Sequence, residues 1–207
     1  MDVITFGEAM VRLAPADHRR LEQAYSLDVE IGGAELNTGV GLARLGRTSA
    51  WVSRLTDNPL GRLVANHARE AGVSTEHVLF TPEDRVGLYF LEFGAAPRAS
   101  NVLYDRKGSA IANVRPGMVP WSNVFAGAKW FHVTGITPAL SPTAAEATRE
   151  ALEAARAASR ASRVVSAALS LRAGVMPVTW NQRACAKTAG QLTVPGRMPA
   201  MAAPLRS

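Results

Sequence analysis

The 207-residue sequence predicts an α/β fold: a sheet flanked by helices, with a smaller separate layer of strands. Three observations carry that prediction. Short apolar runs stopped by glycine alternate with stretches of helical spacing, the pattern of strand–helix–strand units. Other runs alternate apolar and polar residues, which suits half-exposed strands lying outside the main sheet. These signals persist to about Ala158 and then fade, so the fold is expected to be incomplete at its C-terminus.

Val3-Ile4-Thr5-Phe6, ended by Gly7, reads as a buried first strand of a parallel sheet. Arg12 to Ile31 is mixed in polarity, and within it Leu27 to Ile31 alternates as a half-exposed strand does. Leu36, Val40, Leu42, Ala43 and Leu45 predict a helix closed by Gly46. Ala50 to Ser53 is a second buried strand. Leu60, Leu63, Val64, His67, Ala68 and Ala71 share one face of a helix stopped by Gly72. Asp57 is expected to satisfy that helix's free N–H groups. His77 to Phe80 predicts a third core strand, and Gly87 to Phe93 with Asn101 to Arg106 a β-hairpin around Gly94–Arg98. Trp130 to Thr134 is another buried strand, ending at Gly135. Ser141-Pro142 then opens a long Ala-rich helix to about Ala158, with Ser as cap and Pro at the first helical position. Val164 to Leu171 is a candidate last strand, and beyond Met176 no period of 2 or 3.6 is sustained. The sequence predicts disordered or poorly defined coil there.

Charge divides the chain. From Ala154 to Ser207 there is no Asp or Glu, although the chain has 17, while eight of its 23 Lys and Arg lie there. The front part is therefore slightly acidic, and the formal net charge of +6 comes from the tail. A basic excess confined to an Ala, Ser, Pro and Gly-rich segment, with Trp180 as its lone aromatic residue, argues against nucleic-acid binding. Cys185 is the single cysteine, so no internal disulfide can form, which fits a reducing compartment. The N-terminus lacks a basic region followed by an apolar stretch, and no apolar run reaches the roughly 18 residues needed to span a bilayer. A cytoplasmic protein with no membrane partner is expected.

Glycine-rich stretches come next. Gly39-Val40-Gly41 fails the dinucleotide fingerprint, because Arg44 stands where the third glycine belongs and the run lies inside a helical pattern. No G-x-x-x-x-G-K-[ST] stretch occurs, which excludes a P-loop. Gly32-Gly33 immediately before a helix allows close backbone approach and exposes N–H groups. Asn37, one turn in, offers the donor and acceptor that a polyol requires. Tyr104 and Arg106 stand two apart on a strand and so share a face; a guanidinium suits a carboxylate, and a phenol supplies an apolar face with a hydroxyl. Glu8 follows the first strand at the mouth of the sheet as a lining residue. The four histidines show no metal-ligand spacing, and His67 and His132 read as core residues.

GGAELNTGVGLARLG, with ITFGEAMVRLAP, LTDNPLGRLV, GLYFLEFG with NVLYDRKGSAIA, and WFHVTGITPALSP, resembles the ribokinase-like (PfkB-type) carbohydrate kinases, in particular their 2-keto-3-deoxygluconate kinase branch. The likeness spans roughly residues 1–158 with the pieces in the expected order. It implies a ribokinase-like sheet flanked by helices and covered by a small β-lid from segments near 12–34 and 86–110. It implies ATP-dependent phosphorylation of a small-molecule sugar acid, 2-keto-3-deoxygluconate to its 6-phosphate, with Mg2+, and self-association through the lid. By the same resemblance Gly33 and Asn37 contact substrate hydroxyls, Tyr89, Tyr104 and Arg106 come from the lid, and Arg106 pairs the acceptor's carboxylate.

In such kinases a C-terminal G-A-G-D stretch and the helix it opens hold the γ-phosphate, the nucleotide and the catalytic base. No G-x-G-D occurs in the 207 residues. Val165 to Gly174 faintly resembles the family's V-S-x-D-x-N-Y-R segment; there Ala168, Ser170 and Leu171 replace Asp, Asn and Tyr, and Arg172 alone keeps a substrate contact. The expectation is a C-terminally truncated or frameshifted kinase without a catalytic base or ATP site, followed by a disordered or non-native tail over 159–207. Such a product would be marginally stable. The alternatives are a non-catalytic sugar-binding fragment and a kinase for a neutral sugar such as fructose or ribose.

Overall fold

In a computed structural model, residues 1–162 are described, with side chains to Ser159. The candidate strand at 164–171, the coil beyond it, Arg172 and Cys185 lie outside the described residues. The main sheet is wholly parallel. Its strands are β1 (Val3–Phe6), β4 (Ser49–Thr56), β5 (Val73–Ser74), β6 (Val78–Thr81) and β9 (Trp130–His132). The order is β5-β4-β1-β9, and the far half of the long β4 pairs with β6. Ile4 and Phe6 are fully buried, and so are Ala50, Trp51 and Val52, as strands covered on both faces should be.

One face of this sheet carries α1 (Ala34–Arg44) and α2 (Pro59–Glu70), whose Leu36, Val64, Ala65 and Ala68 pack with Trp51, Leu55 and Val73. The other face carries α5 (Pro142–Ser162), which buries Ala144, Ala147, Ala151 and Ala155 at helical spacing against Ile4, Phe6 and Val52. Between β8 (Asn101–Asp105) and β9 the chain adds a short 3₁₀ turn, Ile111–Asn113, and the short helix α3 (Trp121–Val124) to that second core. Trp121 stacks on Phe125 at 5.4 Å and meets Phe6 and Phe131 edge-on. This stretch shows no apolar period, so the sequence does not mark it as core. Buried Ser109 to Ala112 return the chain to the core right after the lid strand.

The second layer is a four-stranded sheet in the order β3-β2-β7-β8, built from β2 (Met10–Ala14), β3 (Asp28–Gly32), β7 (Leu88–Glu92) and β8. β2 is antiparallel to β3 and parallel to β7, and β7 is antiparallel to β8. The expected hairpin is thus half of a larger lid. β2 is a strand that sequence reading left in a stretch of mixed polarity: Met10, Arg12 and Ala14 face one way and Val11 and Leu13 the other, and Arg12 hides the alternation.

Several local expectations change. Asn58, not Asp57, caps α2, its Oδ1 accepting from Leu60 N at 3.0 Å and Gly61 N at 3.1 Å; Asp57 pairs Arg62 instead. Leu60 and Leu63 are 43% and 40% exposed, because α2 turns only its Gly61, Val64, Ala65 and Ala68 stripe to the sheet. Phe80 on β6 and Trp130 on β9 are also exposed. His67 and His132 are half-buried, not core, and His132 Nε2 lies 3.5 Å from Thr38 Oγ1. Ser141 behaves as expected, its Oγ accepting from Ala144 N at 3.0 Å.

Candidate functional site

In the order β4-β1-β9 the chain moves outward on one side of β1 and then on the other, which makes the carboxyl end of β1 the point where an open parallel sheet receives its ligand. Gly7 and Glu8 sit there. The extended Gly33 caps α1 directly beside them. A Cβ on Gly33 would run into the Glu8 carbonyl and stand 2.9 Å from Ala9 Cα, so the two backbones touch only because Gly33 has no side chain. Asn37 is exposed on the first turn of α1, its N–H bonded to Gly33 O at 2.8 Å.

A buried carboxylate anchors that helix start. Glu35, 1% exposed, accepts through Oε1 from Thr134 N at 3.0 Å, Thr134 Oγ1 at 2.6 Å and Thr137 Oγ1 at 3.0 Å. These bonds tie α1 to Thr134 just after β9 and to the short helix α4 (Ile136–Ala139) that follows. Charge-assisted bonds to three donors compensate the burial of the carboxylate, which also sits favourably at a helix N-terminus. A Cβ on Gly7 would collide with this carboxyl group, coming within 2.7 Å of Glu35 Cγ.

The lid supplies the other wall. Strand register sets Glu30, Arg12, Tyr89 and Tyr104 in one cross-strand row on one face. The rings of Tyr89 and Tyr104 stack at 5.9 Å. The space where a Gly32 Cβ would be lies 2.5 Å from the Tyr89 hydroxyl, which brings that phenol beside Gly33. Burial pushes the Tyr89 phenol up from its ordinary value, and the Arg12 guanidinium offsets part of the rise. Arg106 follows β8 with its guanidinium 5.7 Å from the centre of the Tyr104 ring, a cation–π contact. It is ion-paired through Nη2 to Glu8 Oε2, while Ser109 Oγ donates to Glu8 Oε1 at 2.6 Å.

Gly33, Tyr89, Tyr104 and Arg106 therefore meet around Glu8 and Gly32, with Asn37 one turn along α1. Arg172 lies outside the described residues. Sequence reasoning missed Arg12 and Glu35 and saw Glu8 only as lining. Nothing local marks either one: Arg12 enters the row only through the register that sets it opposite Glu30 and Tyr89, and Glu35 is buried by donors about a hundred residues away. An amide, stacked phenols and a guanidinium around close-packed backbone are the groups that bind a hydroxylated anion. Among the described residues no cluster of three His, Cys, Asp or Glu side chains could hold a metal ion. No helix among them is long and apolar enough to cross a membrane.

Comparison with known proteins adds an independent finding. The family profile for pfkB family carbohydrate kinases matches residues 1–181. The 2-dehydro-3-deoxygalactonokinase of Haloferax volcanii is 43% identical over 151 residues, 73% of this chain and 47% of the relative. The crystal structure of 2-dehydro-3-deoxygluconokinase from Thermotoga maritima superposes with a TM-score of 0.73 at 42% identity, covering 80% of this chain and 49% of that one. A PfkB family carbohydrate kinase from Listeria grayi gives a TM-score of 0.75 at 32% identity, with 93% and 57% covered. The chain spans about half the length of the curated relatives it matches.

Proposed function

Since this chain belongs to the pfkB family of carbohydrate kinases and has their ribokinase-like α/β fold, we propose that its described residues form the acceptor half of an ATP-dependent sugar-acid kinase site, with 2-keto-3-deoxygluconate as the acceptor. The observation that carries this reading is the placement of Arg106 beside the stacked Tyr89 and Tyr104, at the mouth where Gly33 and Asn37 open α1. In this reading Arg106 takes the acceptor's carboxylate, Tyr104 and Tyr89 cover the sugar, and Asn37 and the Gly33 backbone meet hydroxyls. Two of the relatives named above are a 2-dehydro-3-deoxygalactonokinase and a 2-dehydro-3-deoxygluconokinase, whose acceptors share a keto-deoxy carboxylate end, the end an arginine would recognise.

ATP would supply the phosphoryl group, and Mg2+ would accompany it. No G-x-G-D occurs in the 207 residues, so they lack the stretch that in such kinases carries the base and the nucleotide contacts. The 207-residue chain is expected to bind the sugar acid without ATP and to release no ADP above background. Isothermal titration with 2-keto-3-deoxygluconate checks the first, a coupled ADP assay the second; a flat titration overturns the acceptor-site reading. Arg106→Ala should weaken binding roughly tenfold or more, as loss of a charge-assisted bond implies.

A neutral sugar such as fructose is the second reading. One observation favours it: Glu8 already pairs Arg106. Unchanged sugar binding by Arg106→Ala would select it. We assign self-association to the opposite face of the lid, where Val29, Leu13, Phe90 and Leu103 form an apolar row and Val29 and Leu103 are 53% and 56% exposed.

A further inference from the structure

Glu8 is 4% exposed and lies in contact with the group that would recognise the acceptor. Both its oxygens are engaged, one by Arg106 Nη2 and one by Ser109 Oγ. Gly87 leaves the room for this pair: a Cβ there would stand 2.8 Å from Glu8 Oε1 and 3.4 Å from Arg106 Cβ. The pair spans the end of β1 and the end of β8, so it also ties the main sheet to the lid. Arg106 Nε is buried and has no partner among the described residues, so the guanidinium keeps unused donor capacity while its charge is already compensated.

We propose that Glu8 is the resident counter-ion of Arg106: it holds the guanidinium at the mouth and competes with the acceptor's carboxylate for it. This rests on the reading of Arg106 as the carboxylate's partner. Two roles follow from one contact. As a positioning residue, Glu8 removes the freedom a long side chain would otherwise have to lose on binding. As a negative charge in a partly desolvated site, it repels a second carboxylate and so sets how strongly the site prefers an acid to a neutral sugar.

The two roles separate by substitution. Glu8→Gln keeps the size and the hydrogen-bonding oxygen but removes the charge. Glu8→Ala removes both. They also separate by pH. Burial pushes the Glu8 carboxyl above its ordinary value, while Arg106 and Ser109 hold it down and the nearby charge of Glu35 on α1 adds to the rise. Gly87, which faces it from just before β7, carries no charge. As pH falls, Glu8 takes a proton, Arg106 becomes an uncompensated cation, and acid affinity rises until the ligand's own carboxylate is protonated.

The test is titration of 2-keto-3-deoxygluconate, without ATP, into the wild-type chain, Glu8→Gln, Glu8→Ala and Arg106→Ala between about pH 7.5 and pH 5. Glu8→Gln is expected to bind about tenfold more tightly than wild type near neutral pH. Glu8→Ala, with its guanidinium unheld, should bind more weakly than Glu8→Gln. Wild-type binding should tighten toward pH 5, and the profile of Glu8→Gln should be flat. Equal or weaker binding by Glu8→Gln with the wild-type pH slope overturns the proposal. Should Glu8→Gln fail to fold, a wild-type profile that does not tighten overturns it as well. If the acid does not bind wild type, or Arg106→Ala binds as wild type does, the acceptor reading itself fails, a result distinct from a null at Glu8.

Discussion

Gly33 shows how a residue can be flagged by sequence and explained only by its neighbours. Two glycines before a helix mark a close approach, but not to what. The approach is to the strand end at Glu8 and Ala9, within the protein, as much as to any ligand. Gly33→Ala must therefore push α1 away from β1, moving Asn37 with it. Its cost is expected at about 1–3 kcal/mol, as for overpacking, with sugar-acid binding lost before the fold is. A chemical denaturation curve and a titration on the same sample check both; unchanged binding would show that α1 can shift without harm. Tyr104 and Arg106 were legible as a same-face pair from their spacing. Glu8 and Glu35 were not, because burial of a carboxylate depends on donors far along the chain: Ser109 and Arg106 for one, Thr134 and Thr137 for the other.

At the level of elements, α2 gives the sharpest contrast between pattern and packing. Its apolar spacing predicts a helix, and the helix forms, but Leu60 and Leu63 stay exposed because the smaller stripe is what fits the sheet. Its cap is Asn58, whose carbonyl oxygen reaches two free N–H groups, and Asp57 faces Arg62 outside. Asn58→Ala is expected to cost about 1 kcal/mol, a fall of about 2–4 °C in melting temperature, while Asp57→Ala changes it little. Differential scanning calorimetry of the two variants checks the assignment, and the reverse order would restore Asp57 as the cap. The stretch from Ile111 to Phe125 was unreadable for another reason. Its apolar residues anchor irregular backbone to α5 and the sheet, as when Glu150 accepts from Gly117 N and Trp121 Nε1. Irregular backbone has no period to read.

For the whole molecule, two layers meet at one edge: a parallel sheet that ends at Glu8 and a lid whose inner face holds Arg12, Tyr89, Tyr104 and Arg106. The lid's outer face buries Val11 against α2 and leaves Val29 and Leu103 exposed. The row Val29, Leu13, Phe90 and Leu103 runs across all four strands with its two ends exposed, and a contiguous exposed apolar row marks a contact surface. Light scattering after size exclusion should therefore report a dimer, and Leu103→Asp should shift it to monomer while sugar-acid binding persists. A wild-type monomer at high concentration would remove the lid from the interface.

Alternation of apolar runs with helical stretches was enough to specify the parallel sheet and the helices on it, the glycine pair that opens α1, and the shared face of Tyr104 and Arg106, since these depend on period and turn chemistry along the chain. Tyr89 and the part each residue plays came only with the family resemblance. Which charges are buried and paired, that Arg12 joins the site, and that Arg106 already has a carboxylate beside it could emerge only once strands distant in sequence were set in register. Burial and ion pairing are properties of contacts between segments, and no local pattern encodes them.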